Sequence, residues 1–200
     1  LLGGNNDESC YSIQQTSDGG YIVAGYSNSS ATGDVTGTTN GNSDYWIVKL
    51  DASGNIIWNK LIGGSLNDRA QSIQQTTDGG YIVAGYSRSS ASGDVTETTH
   101  GGDDYWIVKL DGTGNIIWNR LLGGNTTDQA FEILQAADGT YVIAGRSMSS
   151  ENGDVTGTNH GTNDYWIVRL SATGTILWNK LLGGTGQDEA RSITQKNGDD

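Results

Sequence analysis

The chain has 200 residues, of which 34% are hydrophobic and 8% aromatic, with 31 Gly, no Pro and one Cys. Its 23 Asp+Glu against 11 Lys+Arg give a formal net charge of −12. Such a surface repels phosphate backbones and anionic lipid, which argues against nucleic acid or a membrane surface as partners and leaves metal cations as plausible ones.

The chain repeats itself every 60 residues. Asp44-Tyr45-Trp46-Ile47-Val48-Lys49-Leu50-Asp51 recurs as Asp104 to Asp111, and again as Asp164 to Ser171 with Arg169 in place of lysine. One unit runs from Asp68 to Asn125. Its first element, Arg69 to Thr76, is short, polar and rich in Gln and Ser; we label it outer-polar. The turn Asp78-Gly79-Gly80 follows, since Asp-Gly tolerates positive φ. Tyr81 to Ser87 is β-branched and aromatic, too short for a helix and bounded by Gly, which predicts a strand buried on both faces. A 15-residue polar loop, Ser89 to Asp103, leads to a second such strand, Tyr105 to Leu110. Asp111-Gly112-Thr113-Gly114-Asn115 is a hairpin turn, and Ile116 to Leu122 is a Trp-bearing fourth strand stopped by Gly123-Gly124. No segment shows a helix cap followed by helical periodicity.

These boundaries divide the chain into the end of a preceding blade (1–7), three blades (8–67, 68–127 and 128–187) and the first strand of a further one (188–200). The middle strands are apolar on both sides, so a lone sheet would leave an apolar face in water. A sheet is needed above and another below, which is the arrangement of a β-propeller or an open propeller-like array of four-stranded antiparallel blades. Propellers take about 4–8 blades. Closure therefore needs more repeats in the natural chain or the meeting of two copies; the alternative is a stack left open. No apolar run is long enough to span a bilayer, and there is neither an initiator Met nor a signal peptide. The chain reads as a processed or excised piece of a longer array. The single cysteine, Cys10, rules out an intrachain disulfide. It takes the place of Ala70, Ala130 and Ala190 and is expected to be a small buried residue.

The segments Trp118-Asn119-Arg120-Leu121-Leu122-Gly123-Gly124, Asp128-Gln129-Ala130 and Asp138-Gly139-Thr140-Tyr141-Val142-Ile143-Ala144-Gly145 resemble the repeat of bacterial secreted β-propeller proteins. The wording Gly-Gly-Tyr-Ile-Val-Ala-Gly-Tyr-Ser is similar to repeats in large surface and secreted proteins of Bacteroidetes-type bacteria. The resemblance covers essentially the whole chain. It implies an extracellular or cell-surface location and implies no activity.

Enzyme signatures are absent. There is no Gly-x-Ser-x-Gly, no phosphate loop and no His-Glu-x-x-His. His100 and His160 share a loop register that Asn40 holds in the first unit, which predicts solvated loop residues. The long loops repeat Asp34 with Asp44, Asp94 with Asp104, and Asp154 with Asp164. Carboxylate oxygens with Gly bends are candidate ligands for a hard cation such as Ca²⁺, although the EF-hand spacing is not met; the competing expectation is that they satisfy loop amides. A second acidic register, Asp68, Asp128 and Asp188, with Asp7 in the first unit, is expected to hold the turn between blades. Trp46, Trp106, Trp166, Trp58, Trp118 and Trp178 are expected in the core between blades, with sugar stacking as the alternative. Asn28, Arg88 and Met148 share a register, differ in type, and are expected at solvent-facing tips. The expected function is a non-catalytic structural or adhesive segment, contacting other copies of the repeat or chain and other partners through its loops. The alternative is a carbohydrate-binding propeller with one site per repeat for surface glycans.

Overall fold

Twelve β-strands and no helix make up a computed structural model that describes residues 1–195. The strands form three four-stranded antiparallel meanders. The first holds β1 (Glu8–Gln15), β2 (Tyr21–Ser27), β3 (Asp44–Leu50) and β4 (Ile56–Ile62). The second holds β5 (Asp68–Gln75), β6 (Tyr81–Ser87), β7 (Asp104–Leu110) and β8 (Ile116–Leu122). The third holds β9 (Asp128–Gln135), β10 (Tyr141–Ser147), β11 (Asp164–Leu170) and β12 (Ile176–Leu182). The β1–β2, β5–β6 and β9–β10 hairpins turn through Gly19, Gly79 and Gly139, whose φ of 82–83° is open to glycine at no steric cost.

The sheets stack in chain order, and each interface is one apolar core. Ile22, Ala24, Tyr45 and Ile47 of the first sheet meet Tyr81, Val83, Trp106 and Val108 of the second. Ile82, Ala84, Tyr105 and Ile107, on the opposite face of that second sheet, meet Tyr141, Ile143, Trp166 and Val168 of the third. All seven residues of β7 are buried, because it is central in its sheet and its sheet is central in the stack.

A register shift recurs at the same place in every sheet. β5 carries an extra residue between Ala70 and Ser72, and β1 and β9 repeat the irregularity. In a regular strand Ala70 and Ile73 would point to opposite faces, since side chains alternate with period two. The bulge turns both into the same core. A second shift, between Lys109 and Leu110 against β8, puts Ile116 in the core on one side of the sheet and Trp118 in the core on the other, with Ile117 left exposed.

The polar first strands form one edge of each sheet and lie side by side along the stack. β1, β5 and β9 touch one another in sequence, whereas β4, β8 and β12 make their main contacts within their own sheets. Polarity there serves pairing between repeats. Gln14 Oε1 accepts the Gln75 amide at 2.7 Å, and Ser12 Oγ accepts the Ile73 amide at 3.2 Å. The same bonds recur from Ser72 to Ile133 and from Gln74 to Gln135.

Two further expectations change. Cys10 is exposed while Ala70 and Ala130 are fully buried; a preceding sheet covers each alanine, and none among the described residues covers Cys10. Residues 188–195 lie beside the third sheet, with the Ala190 amide 3.2 Å from the Gly145 carbonyl, but are not in strand conformation. Among the described residues no second strand of that repeat is there to pair with them; the rest of the expected strand, 196–200, lies outside the described residues.

Candidate functional site

The six loop carboxylates proposed as cation ligands accept backbone amides instead. Asp34, Asp94 and Asp154 each take, through Oδ2, the amide of a glycine that follows a fourth strand or its equivalent: Gly3 at 3.0 Å, Gly63 at 3.1 Å and Gly123 at 3.2 Å. Asp44, Asp104 and Asp164 take the amides of Asn40, His100 and His160 at 2.7, 2.7 and 3.0 Å. Among the described residues no three or more His, Cys, Asp or Glu side chains are grouped so as to hold a metal ion. The loop is pinned rather than free. Val35, Val95 and Val155 insert into the cores at 1% exposure, and Thr36, Thr96 and Thr156 bond the side chains of Asn59, Asn119 and Asn179.

Asp44, Asp104 and Asp164 are fully buried, and the Oδ1 atom of each has no hydrogen-bond partner. Burial pushes the Asp44 carboxyl up to about 6, against the Asn40 amide and with the charge of Asp68 adding to the rise. Burial likewise pushes Asp104 up to about 7, against the His100 amide and with Asp128 adding to the rise. The second acidic register holds the turn between repeats, and its first-unit member is Glu8, not Asp7. Glu8 Oε2 accepts the Gly4 amide at 2.8 Å as Asp68 Oδ2 accepts Gly64 at 2.7 Å and Asp128 Oδ2 accepts Gly124 at 2.7 Å. The longer Glu side chain reaches the same amide from one register position.

The aromatic and imidazole groups offer little reactive surface. Trp106 and Trp166 are wholly buried and Trp46 nearly so, each donating its indole N–H to Asn119, Asn179 or Asn59 at 3.1–3.2 Å. Trp58 and Trp118 are partly buried and pack against Tyr81 and Tyr141 of the next repeat, with ring centroids 5.9 and 6.0 Å apart. Only Trp178 is substantially exposed, at 40%. His160 sits in the loop with Nδ1 3.4 Å from Asp164 and its side chain mostly solvated.

The feature that sequence reasoning missed is a band along one side of the stack, one of the places where the repeats differ. Its positions are the second residue of the first strand (Ser9, Arg69, Gln129), the sixth of the second strand (Tyr26, Tyr86, Arg146), the residue just beyond that strand (Asn28, Arg88, Met148) and the last of the long loop (Ser43, Asp103, Asn163). Strand pairing sets Ser9 opposite Tyr26, Arg69 opposite Tyr86 and Gln129 opposite Arg146. Each junction then carries its own chemistry. The Arg69 guanidinium lies 4.5 Å over the Tyr26 ring. Arg88 and Gln129 both bond the buried Asp103 carboxylate. Arg146 bonds Gln129 at 2.7 Å and pairs with Glu189. Aligning the three repeats position by position would have exposed the band; reading Asn28, Arg88 and Met148 alone, as separate tips, hides it.

No family model matches the chain. Among curated proteins it is similar to the regulatory protein FlaEY of Caulobacter vibrioides, with 28% identity over 167 residues. The match covers 79% of this chain and 16% of that protein, so the similarity concerns one segment of a much longer molecule.

Proposed function

We propose that this chain is a non-catalytic structural or adhesive repeat segment of a bacterial surface or secreted protein, in which stacked sheets form the blades of a β-propeller or an open propeller-like array. Radial stacking is supported by the side-by-side first strands, bonded repeat to repeat, with the fourth strands away from them. The small share of FlaEY that the chain matches fits a segment within a larger protein.

One observation carries the adhesive reading. The third and fourth strands recur almost unchanged, as in Asp-Tyr-Trp-Ile-Val-Lys-Leu, while the band at one side changes residue by residue. A constant scaffold with a variable polar face is how stacked-repeat proteins present a recognition surface. This favours partner contact on the band over the rest of the long loops, which the buried valines hold down. Three of the six tryptophans are buried and two more are partly buried against the next repeat, which argues against a sugar-stacking tryptophan in every repeat.

Beads coated with the whole chain test this against bacterial envelope material. The expected result is adhesion that the triple variant Arg69→Ser, Arg88→Ser, Arg146→Ser loses at an unchanged melting temperature. Wild-type beads that do not adhere, or a triple variant that adheres as well, would overturn it.

A further inference from the structure

We infer that the junction between the second and third repeats holds a single binding site for a carboxylate-bearing sugar. This rests on reading the band as a contact surface. A pocket of about 270 Å³ opens there, lined by Asn67, Arg69, Tyr86, Arg88, Asp103 and Gln129.

Charge comes first. The chain as a whole is at −12, yet this pocket gathers two guanidinium groups against one carboxylate. Asp103 is buried and already committed to Arg88 Nε and to the Gln129 amide. Arg88 engages it through Nε, which leaves its two terminal nitrogens for another acceptor. Arg69 Nε is buried without a hydrogen-bond partner, although its guanidinium is held in place over Tyr26. Arg69 lines the pocket together with Arg88, so an anion seated there meets positive charge from both side chains.

Shape and lining select the ligand. A guanidinium fork matches the two coplanar oxygens of a carboxylate. The remaining groups, the Asn67 amide and the Tyr86 hydroxyl, bond hydroxyls rather than hydrocarbon. A hydroxylated ring bearing a carboxylate fits them better than an amino-acid side chain does. Among the described residues the site does not recur at the first junction, where the matching positions are Asp7, Ser9, Tyr26, Asn28 and Ser43 with only Arg69, and Arg88 has no counterpart.

Titration of the ¹⁵N-labelled whole chain with sodium galacturonate, followed by NMR, tests the assignment, with galactose and sodium glutamate as separate arms. Galacturonate is expected to shift amides at 67–69, 86–88, 103 and 129, while galactose leaves them in place and glutamate binds at least about tenfold more weakly. Arg69→Gln is expected to weaken galacturonate by about tenfold or more. Arg88→Gln, at a largely exposed side chain, gives the same reading should the first variant fail to fold. Absence of shifts, shifts centred elsewhere, full binding by the variants, or equal binding of glutamate would overturn the site. Those failures touch this pocket alone; the contact-surface reading falls only if the coated beads fail to adhere or the triple variant adheres as well as wild type.

Discussion

The Tyr45 hydroxyl donates a 2.9 Å hydrogen bond to the backbone carbonyl of Trp106, one repeat further along the chain. Tyr105 repeats it to Trp166, also at 2.9 Å. Each tyrosine is fully buried, its ring tilted against the same tryptophan with centroids 4.6 Å apart, so one residue joins consecutive sheets by both packing and a polar bond. Tyr105→Phe keeps the ring and loses the bond. It should lower stability by about 1 kcal/mol in urea titration, the net worth of a buried neutral hydrogen bond.

The hydroxyl needs room, and glycine provides it. A Cβ on Gly145 would lie 2.5 Å from the Tyr105 hydroxyl and would overlap the Gln129 carbonyl of the paired strand. Gly145→Ala should therefore cost more than Tyr105→Phe, roughly 2–3 kcal/mol. Equal losses in the same urea titration would mean that the strand shifts freely to make space.

Stability should fall as pH rises through the range set by Asp44 and Asp104. Both are raised in the folded chain, to about 6 and about 7, from an unfolded value near 3.8. A raised carboxyl binds its proton more tightly when folded, so its contribution is complete below pH ~4 and is lost by pH ~7. Asp104→Asn keeps an acceptor for the His100 amide and places a neutral amide where the unpartnered oxygen stands. Thermal melts should show the variant more stable than wild type at pH 8 by about 2 kcal/mol and little changed at pH 4. A flat wild-type profile between these values would count against it.

Calcium should have little effect on melting. The loop carboxylates are already bonded to amides, so neither added Ca²⁺ nor EDTA should move the midpoint by more than about one degree. A rise of several degrees with Ca²⁺ would show that the loops rearrange around the ion.

The loops should instead depend on their buried valine. Val95 is 1% exposed in the core between the first two sheets. Val95→Ala should cost about 1–3 kcal/mol, as partial removal of a buried side chain does. It should also speed amide exchange across the loop at 88–103. Thr99→Ala, near the exposed loop tip, should change neither.

Local chemistry was enough to specify the 60-residue period, the four strands per unit, their order and the Asp-Gly turns. Each of these follows from side chains a few residues apart. Apolar runs such as Tyr105 to Leu110 demand cover on two faces, and a repeat is the means of supplying it. The tertiary structure alone decided the rest. Ala70 and Ile73 share a face only because a bulge breaks the alternation between them. The Gln-rich edge strands lie side by side because their side chains bond the backbone of the next repeat, a partner 61 residues away. The band formed by Arg69, Tyr86, Arg88, Asp103 and Gln129 gathers residues from four strands or loops, and such long-range proximity leaves no mark within any one short stretch of sequence.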